Sequence, residues 1–234
     1  MAGQESNSIK KLRSQETSEQ IIRLIRDTPY DPGDQIPNEL ELSEKLNVSR
    51  STVREAVKIL VSRNILYIRR GVGTFVSNDP GLVEDPWGLS FMLSDIDIAA
   101  QLLELRLILE PEMAGLAAIR ATGEEISTIK ECCIKTEDKI FSGESHYNED
   151  IAFHLSISNA SHNIAASNVL RQVFAQSIPL QTSLSRNSLL KETIKTHTLI
   201  AESIEKHDSD AARSAMRAHL EYNRKIIAQL KEKN

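Results

Sequence analysis

Residues 32–76 read PGDQIPNELELSEKLNVSRSTVREAVKILVSRNILYIRRGVGTFV. Pro32, Gly33 and Pro37 open the stretch and exclude a regular helix, so it begins as a turn and a short extended piece. Asn38 with Glu41 three residues on is a capping-box start, and the helix it predicts carries Leu40, Leu42 and Leu46. Asn47 tolerates the left-handed conformation that ends a helix, which makes LNVS a tight turn. Ser49 caps the next helix, RSTVREAVKILVSR, whose inward face is Val53, Ala56, Val57 and Leu60. Then ILYI and TFV, rich in β-formers, flank a Gly-x-Gly turn and predict a hairpin. Upstream, SEQIIRLIRDT at 18–28 sets Ile21, Ile22, Leu24 and Ile25 on a helical stripe. Helix, helix, turn, helix, hairpin is the order of a winged helix-turn-helix.

The third of these helices presents Arg50, Ser51, Thr52 and Arg54 outward from its first turns. Arginine meets guanine through two parallel donors, and hydroxyls reach phosphates or base edges in the major groove. In the wing, Arg69 and Arg70 lie within reach of an adjacent backbone or minor groove, and Gly71 and Gly73 permit close approach to phosphate. The plainer alternative is a solvated basic helix face.

The chain has 234 residues, 40% of them hydrophobic and 26% charged, enough for one large domain or two small ones. Charge interrupts every apolar run, so a membrane span is not expected, and the N-terminus lacks a secretory apolar stretch. The two cysteines, Cys132 and Cys133, are adjacent, which fits reduced thiols and a cytoplasmic location rather than a disulfide scaffold. Residues 1–78 hold 12 Lys and Arg against 10 Asp and Glu, whereas the remainder holds 16 against 23, so two units with different partners are expected. Proline and glycine cluster at Pro80, Gly81, Pro86 and Gly88, and helical periodicity takes over after residue 95. The expected fold is mainly α: a winged helix-turn-helix over 1–76, a linker over 77–94, and an all-helical bundle of about six helices over 95–234. Asn148 and Asp208 are expected as helix N-caps.

The stretch quoted above resembles the DNA-binding domain of the GntR family of bacterial transcription regulators, over about residues 18–76. The PG-x-x-I-P entry, the VSR-x-TVREA core and the G-x-GTFV wing carry the resemblance. It implies that Arg50, Ser51, Thr52 and Arg54 contact operator DNA, with Arg70 and Gly71 in the wing. Leu40 departs from the pattern, since family members often carry arginine there.

In the helical part, Asp150 and His154 stand at i, i+4 on one helix face, and His197 and His219 lie on apolar stripes of two later helices. One carboxylate with three imidazoles would suit a first-row divalent ion, and a buried Asp beside neutral imidazoles is expensive without a cation. From spacing alone, core histidines with local hydrogen bonds remain the alternative. ELRLILEPEMAGLAA followed by D-x-x-x-H and the two later histidines resembles the FCD effector domain of the FadR subfamily, over about residues 95–230. The resemblance implies a divalent metal, zinc with nickel or manganese as alternatives, on Asp150, His154, His197 and His219. It also implies a small carboxylate effector such as a sugar acid, with Arg106 and Asn163 as effector contacts. The alternative for Arg106 is an exposed helix arginine or a partner of Glu110 at i+4, and for Asn163 a helix cap.

Together these readings describe a dimeric regulator, a repressor or an activator with release from DNA on effector binding the favoured sign, that binds a pseudo-palindromic double-stranded DNA operator and answers to an effector, with no enzyme activity. A purely structural metal, an acyl-CoA effector and a metalloenzyme are the competing readings.

Overall fold

The computed structural model describes residues 2–28, 30–185 and 190–232, with side chains from Leu12 onward. The chain forms two compact units, Met1–Val83 and Glu84–Asn234.

The first unit holds α1 (Ala2–Asp27), α2 (Glu39–Leu46), α3 (Arg50–Ser62), β1 (Leu66–Arg69) and β2 (Gly73–Val76). Asn38 closes the capping box with Glu41, and Asn47, at φ +52, ends α2 in the left-handed region. Ser49 caps α3 through the Thr52 backbone N–H. β1 and β2 pair antiparallel, Leu66 opposite Val76 and Arg69 opposite Gly73. Ile36 N donates to Thr74 O and Val76 N donates to Asp34 O, so the extended piece before α2 lies along β2. A Cβ at Gly73 would meet the carboxamide of the exposed Gln35 side chain, which would have to swing aside. Ile21, Leu42, Val53, Val57, Leu60, Leu66 and Val76 form the core.

One expectation is corrected here. The helix read as beginning near residue 18 runs back to Ala2. Its upstream face buries Thr17 and Ser18 rather than aliphatics, each hydroxyl bonded to a carbonyl of its own helix. A stripe of short hydroxyl side chains leaves no hydrophobic period to read.

The segment expected as a linker carries structure of its own. Asn64 Nδ2 donates to the carbonyls of Asp79 and Leu82, tying residues 79–82 to the first unit. Asp85 accepts from the Leu89 and Ser90 backbone and caps the short α4 (Leu89–Met92) of the second.

The second unit continues with α5 (Asp95–Arg120), α6 (Gly123–Ser142), α7 (Tyr147–Ala160), α8 (Ile164–Ser185), α9 (Leu190–Glu205) and α10 (Ser209–Lys231). α5 is the axis: α10 runs along it, and α7, α8 and α9 also pack on it. Leu103, Ala114, Ala117, Phe153, Ile200, Met216 and Leu220 lie in its main core. Thr122 closes a capping box for α6, and Asp208 caps α10 through the Ala211 N–H. The expected cap of α7 is displaced. His146 occupies the N-cap position, and Asn148 lies inside the first turn.

Candidate functional site

The two units each carry a candidate site. On α3, Arg50, Ser51 and Arg54 are exposed near the N-terminus. Thr52, expected on the outward face, is instead buried, and its hydroxyl shares a hydrogen bond with Ser49 Oγ at 2.8 Å. Helical geometry explains this: Thr52 leads Ala56 by one turn, and Ala56 is core. Arg54 is not loose. Its Nε and Nη2 donate to the Glu39 carboxylate of α2 at 3.1 and 2.7 Å. That fork, made by Nε and Nη2, fixes the guanidinium plane. In the wing, Arg70 and Gly71 are exposed at the turn, Gly71 at φ +75. Arg69 lies over the stacked rings of Tyr67 and Phe75, 5.4 and 5.1 Å from their centroids.

The second site lies wholly inside the helical unit. α7 supplies Asp150 and His154, α9 supplies His197 and α10 supplies His219. All four are buried, at 5, 1, 1 and 3% exposure. The three histidines bring ring nitrogens within 4.8 Å of one another. Asp150 Oδ1 faces His197 Nε2 at 3.3 Å and His154 Nε2 at 3.8 Å.

Hydrogen bonds to the outer nitrogens aim the rings. His154 Nδ1 pairs with Glu110 Oε2 at 2.5 Å, and an ionised carboxylate can only accept, so the proton sits on Nδ1. Thr196 gives its hydroxyl proton to the Glu192 carbonyl and therefore accepts from His219 Nδ1 at 2.8 Å. Both rings thus turn an unprotonated Nε2 inward, the form in which imidazole binds metal. His219 Nε2 accepts from Asn223 Nδ2 at 3.2 Å. His197, stacked on Phe153 at 4.0 Å, has neither ring nitrogen hydrogen-bonded, nor is Asp150 Oδ1.

The electrostatics agree. Burial, followed by the charges of His219 and His154, holds His197 well below the usual histidine range. Burial, then His154 and Arg106, does the same to His219. Glu110 is pushed up by burial, but Arg106 and His154 outweigh it and leave its carboxyl at about 2. Ring nitrogens of three imidazoles within 4.8 Å of one another, two of them orphaned on His197, beside an orphaned carboxylate oxygen are a donor set that fits a divalent cation.

Arg106 of α5 adjoins this group and is fully buried. Its Nε donates to Glu110 Oε1 at 2.5 Å, Nη1 to Gln181 Oε1 at 3.4 Å, and Nη2 lies 3.3 Å from His154 Nε2. The pairing with Glu110 is therefore present, and the same guanidinium faces the histidines. Asn163 is not in this group. It is exposed, and its Oδ1 accepts from Ala166 N at the start of α8, which is the capping alternative. His162, at φ +53, is exposed and meets Glu125 at 3.0 Å. Glu110, Gln181, Thr196, Asn223 and buried His146 complete the surroundings, and the histidine spacing does not announce them. Only Glu110, one turn beyond Arg106, carries a sequence signal.

A winged helix-turn-helix with exposed arginines on its third helix, followed by a helical unit with a buried histidine–carboxylate centre, defines the class of two-part transcription regulators. The comparisons make it particular. The family described as "Bacterial regulatory proteins, gntR family" matches residues 13–76, and the FCD domain matches residues 101–222. The chain belongs to the GntR family of bacterial transcriptional regulators, with an FCD domain, and is not an enzyme. It is 33% identical to the Uxu operon transcriptional regulator of Escherichia coli K12, over 88% of this chain and 83% of the relative. It is 31% identical to the putative L-lactate dehydrogenase operon regulatory protein of the same organism, over 89% of this chain and 84% of the relative. A solved structure described as Streptococcus agalactiae GntR is 33% identical, superposes with a TM-score of 0.79, and is covered over 99% of its length by 91% of this chain.

Proposed function

We propose that the chain is a ligand-responsive repressor, acting as a homodimer on a pseudo-palindromic operator in the bacterial cytoplasm. Its recognition surface is Arg50, Ser51 and Arg54 of α3, with Arg70 and Gly71 of the wing. Thr52 acts through the Ser49 cap rather than by direct contact. The helical unit holds a divalent metal on Asp150, His154, His197 and His219. Zinc is the first choice for three imidazoles and a carboxylate. When bound, the ion supplies positive charge and open coordination positions for a small carboxylate, and Arg106 supplies a second, forked contact.

The observation that carries this reading is the set of orphaned atoms at the centre, Asp150 Oδ1 and both nitrogens of His197, beside a fully buried arginine. The L-lactate in the name of one relative's operon, a hydroxy acid, supports the effector class. Effector binding shifts the helices around Arg106 and thereby the population of DNA-competent dimers, by no more than the effector's differential affinity allows.

The test is a thermal-shift screen of the full chain against small carboxylates and acyl-CoA, with and without chelator. A ligand at about 100 times its Kd adds roughly 2.7 kcal/mol of stability. The expected result is a carboxylate shift that disappears with chelator, and loss of bound metal in His154→Ala and His219→Ala. A full metal complement in both variants refutes the ligand set. A shift indifferent to chelator, or one given by acyl-CoA alone, removes the metal from effector binding.

A further inference from the structure

Ser177, Gln181 and Ser185 stand one turn apart on a single stripe of α8. All are buried, at 2, 6 and 3% exposure. The stripe begins at Phe174, whose ring centroid lies 5.5 Å from the Arg106 guanidinium and 5.7 Å from the His154 ring. Gln181 accepts from Arg106. Ser177 therefore lies between two residues that both touch Arg106, on the same helix face.

The hydroxyls of Ser177 and Ser185 have no hydrogen-bond partner among the described residues. Ser158 of α7 is orphaned as well, whereas other hydroxyls of the unit find partners within their own helix. Ser156, Thr196 and Ser203 each donate to a carbonyl of their own helix three or four residues back. A buried hydroxyl left without a partner costs about 1–3 kcal/mol, and alanine would fill the same place without that penalty.

Resting on the carboxylate reading above, we propose that this stripe is the part of the effector site that reads hydroxyl groups. The ligand is a hydroxylated carboxylate. Its carboxylate goes to Arg106 and the metal centre, and its hydroxyls pair with Ser177 and the Gln181 amide, with Ser185 reached by a longer chain. A serine hydroxyl both donates and accepts, so it matches a ligand hydroxyl in either direction. A carboxylate lacking hydroxyls leaves these groups unpaired and is rejected for that reason.

Calorimetric titration of the full-length, zinc-loaded protein with two matched pairs tests this: gluconate against hexanoate, and L-lactate against propionate. The expected result is that the hydroxylated member of at least one pair binds about tenfold tighter or more. Ser177→Ala removes most of that preference and leaves the affinity for the deoxy acid unchanged. Its melting temperature without ligand equals or exceeds that of the parent, because the hydroxyl bonded nothing. Ser185→Ala weakens gluconate and spares L-lactate. If hexanoate binds as tightly as gluconate and propionate as tightly as L-lactate, or if Ser177→Ala keeps the preference, the hydroxyl assignment falls while the carboxylate reading stands. If Ser177→Ala melts lower without ligand, the hydroxyl is structural and the assignment also falls. Binding by no member of either pair overturns both readings.

Discussion

Arg54 of the winged unit and Arg106 of the helical unit are each held by a glutamate through short hydrogen bonds, yet their surroundings are opposite. The Arg54 side chain is 60% exposed and its partner Glu39 37%, whereas Arg106 and Glu110 are 0 and 3% exposed. In water the first pair is screened and contributes little, so DNA can draw on Arg54 at little expense. In the helical unit neither charge of the second pair can be left alone, because an unpaired buried ion is strongly destabilising. A group that binds beside Arg106 must respect the charge that Glu110 and the histidines already balance. The comparison separates a surface that presents charge from a centre that stores it.

The sharpest way to break this contrast is Glu110→Ala. It strands the Arg106 charge and releases the His154 ring, and is expected to destabilise the second unit by about 3–5 kcal/mol in urea unfolding. A loss below about 1 kcal/mol would make the buried pair no different from the exposed one. Acid is the next lever. The unfolded chain protonates its histidines near pH 6.5, while burial holds folded His197 and His219 well below that value. The unfolded state therefore binds more protons as pH falls, and stability is lost below about pH 6.5. For two such groups the slope reaches roughly 2.7 kcal/mol per pH unit in chelator-treated protein. A melting temperature flat from pH 7 to 5 would show that these rings charge freely when folded.

On the exposed side the effects are smaller and appear in binding. Arg50→Ala or Arg54→Ala is expected to weaken an operator selected from random duplexes by about 1–3 kcal/mol, with folding stability nearly unchanged. Unchanged affinity for that operator would remove α3 from the interface. Smallest is Glu39→Gln. It loosens the fork on Arg54, should alter stability by less than about 1 kcal/mol, and should relax base preference at the position Arg54 reads more than total affinity. If preference is untouched, Glu39 does not position Arg54.

Much of the first unit is legible in order along the chain because its signals are local. Asn38 with Glu41, Asn47 and Ser49 each act on backbone groups within a few residues, and the hairpin follows from β-formers around Gly71 and Gly73. Where signals are not local, the reading misses. Thr17 and Ser18 hide the upstream part of α1, and Thr52 turns inward although its neighbours do not. In the second unit, Asp150 and His154 share a face by spacing alone, and Glu110 follows Arg106 by one turn, but nothing in the chain says that residues 181 and 196 gather around them.

The sequence by itself determined the winged helix-turn-helix, the helical character of the rest, and the residue types available for a metal and a carboxylate. Caps, turns and periodicity are short-range physics, and the chain states them directly. The tertiary structure alone decided that α5, α7, α8, α9 and α10 converge, so that Glu110 and Thr196 fix the His154 and His219 tautomers. It decided too that His197 and Asp150 keep orphaned atoms, and that the α8 hydroxyl stripe runs past Arg106. Those facts depend on which faces meet across dozens of residues, and burial gives each meeting its energy: the same Arg–Glu pair is a loose surface contact in one place and a fixed charge in the other.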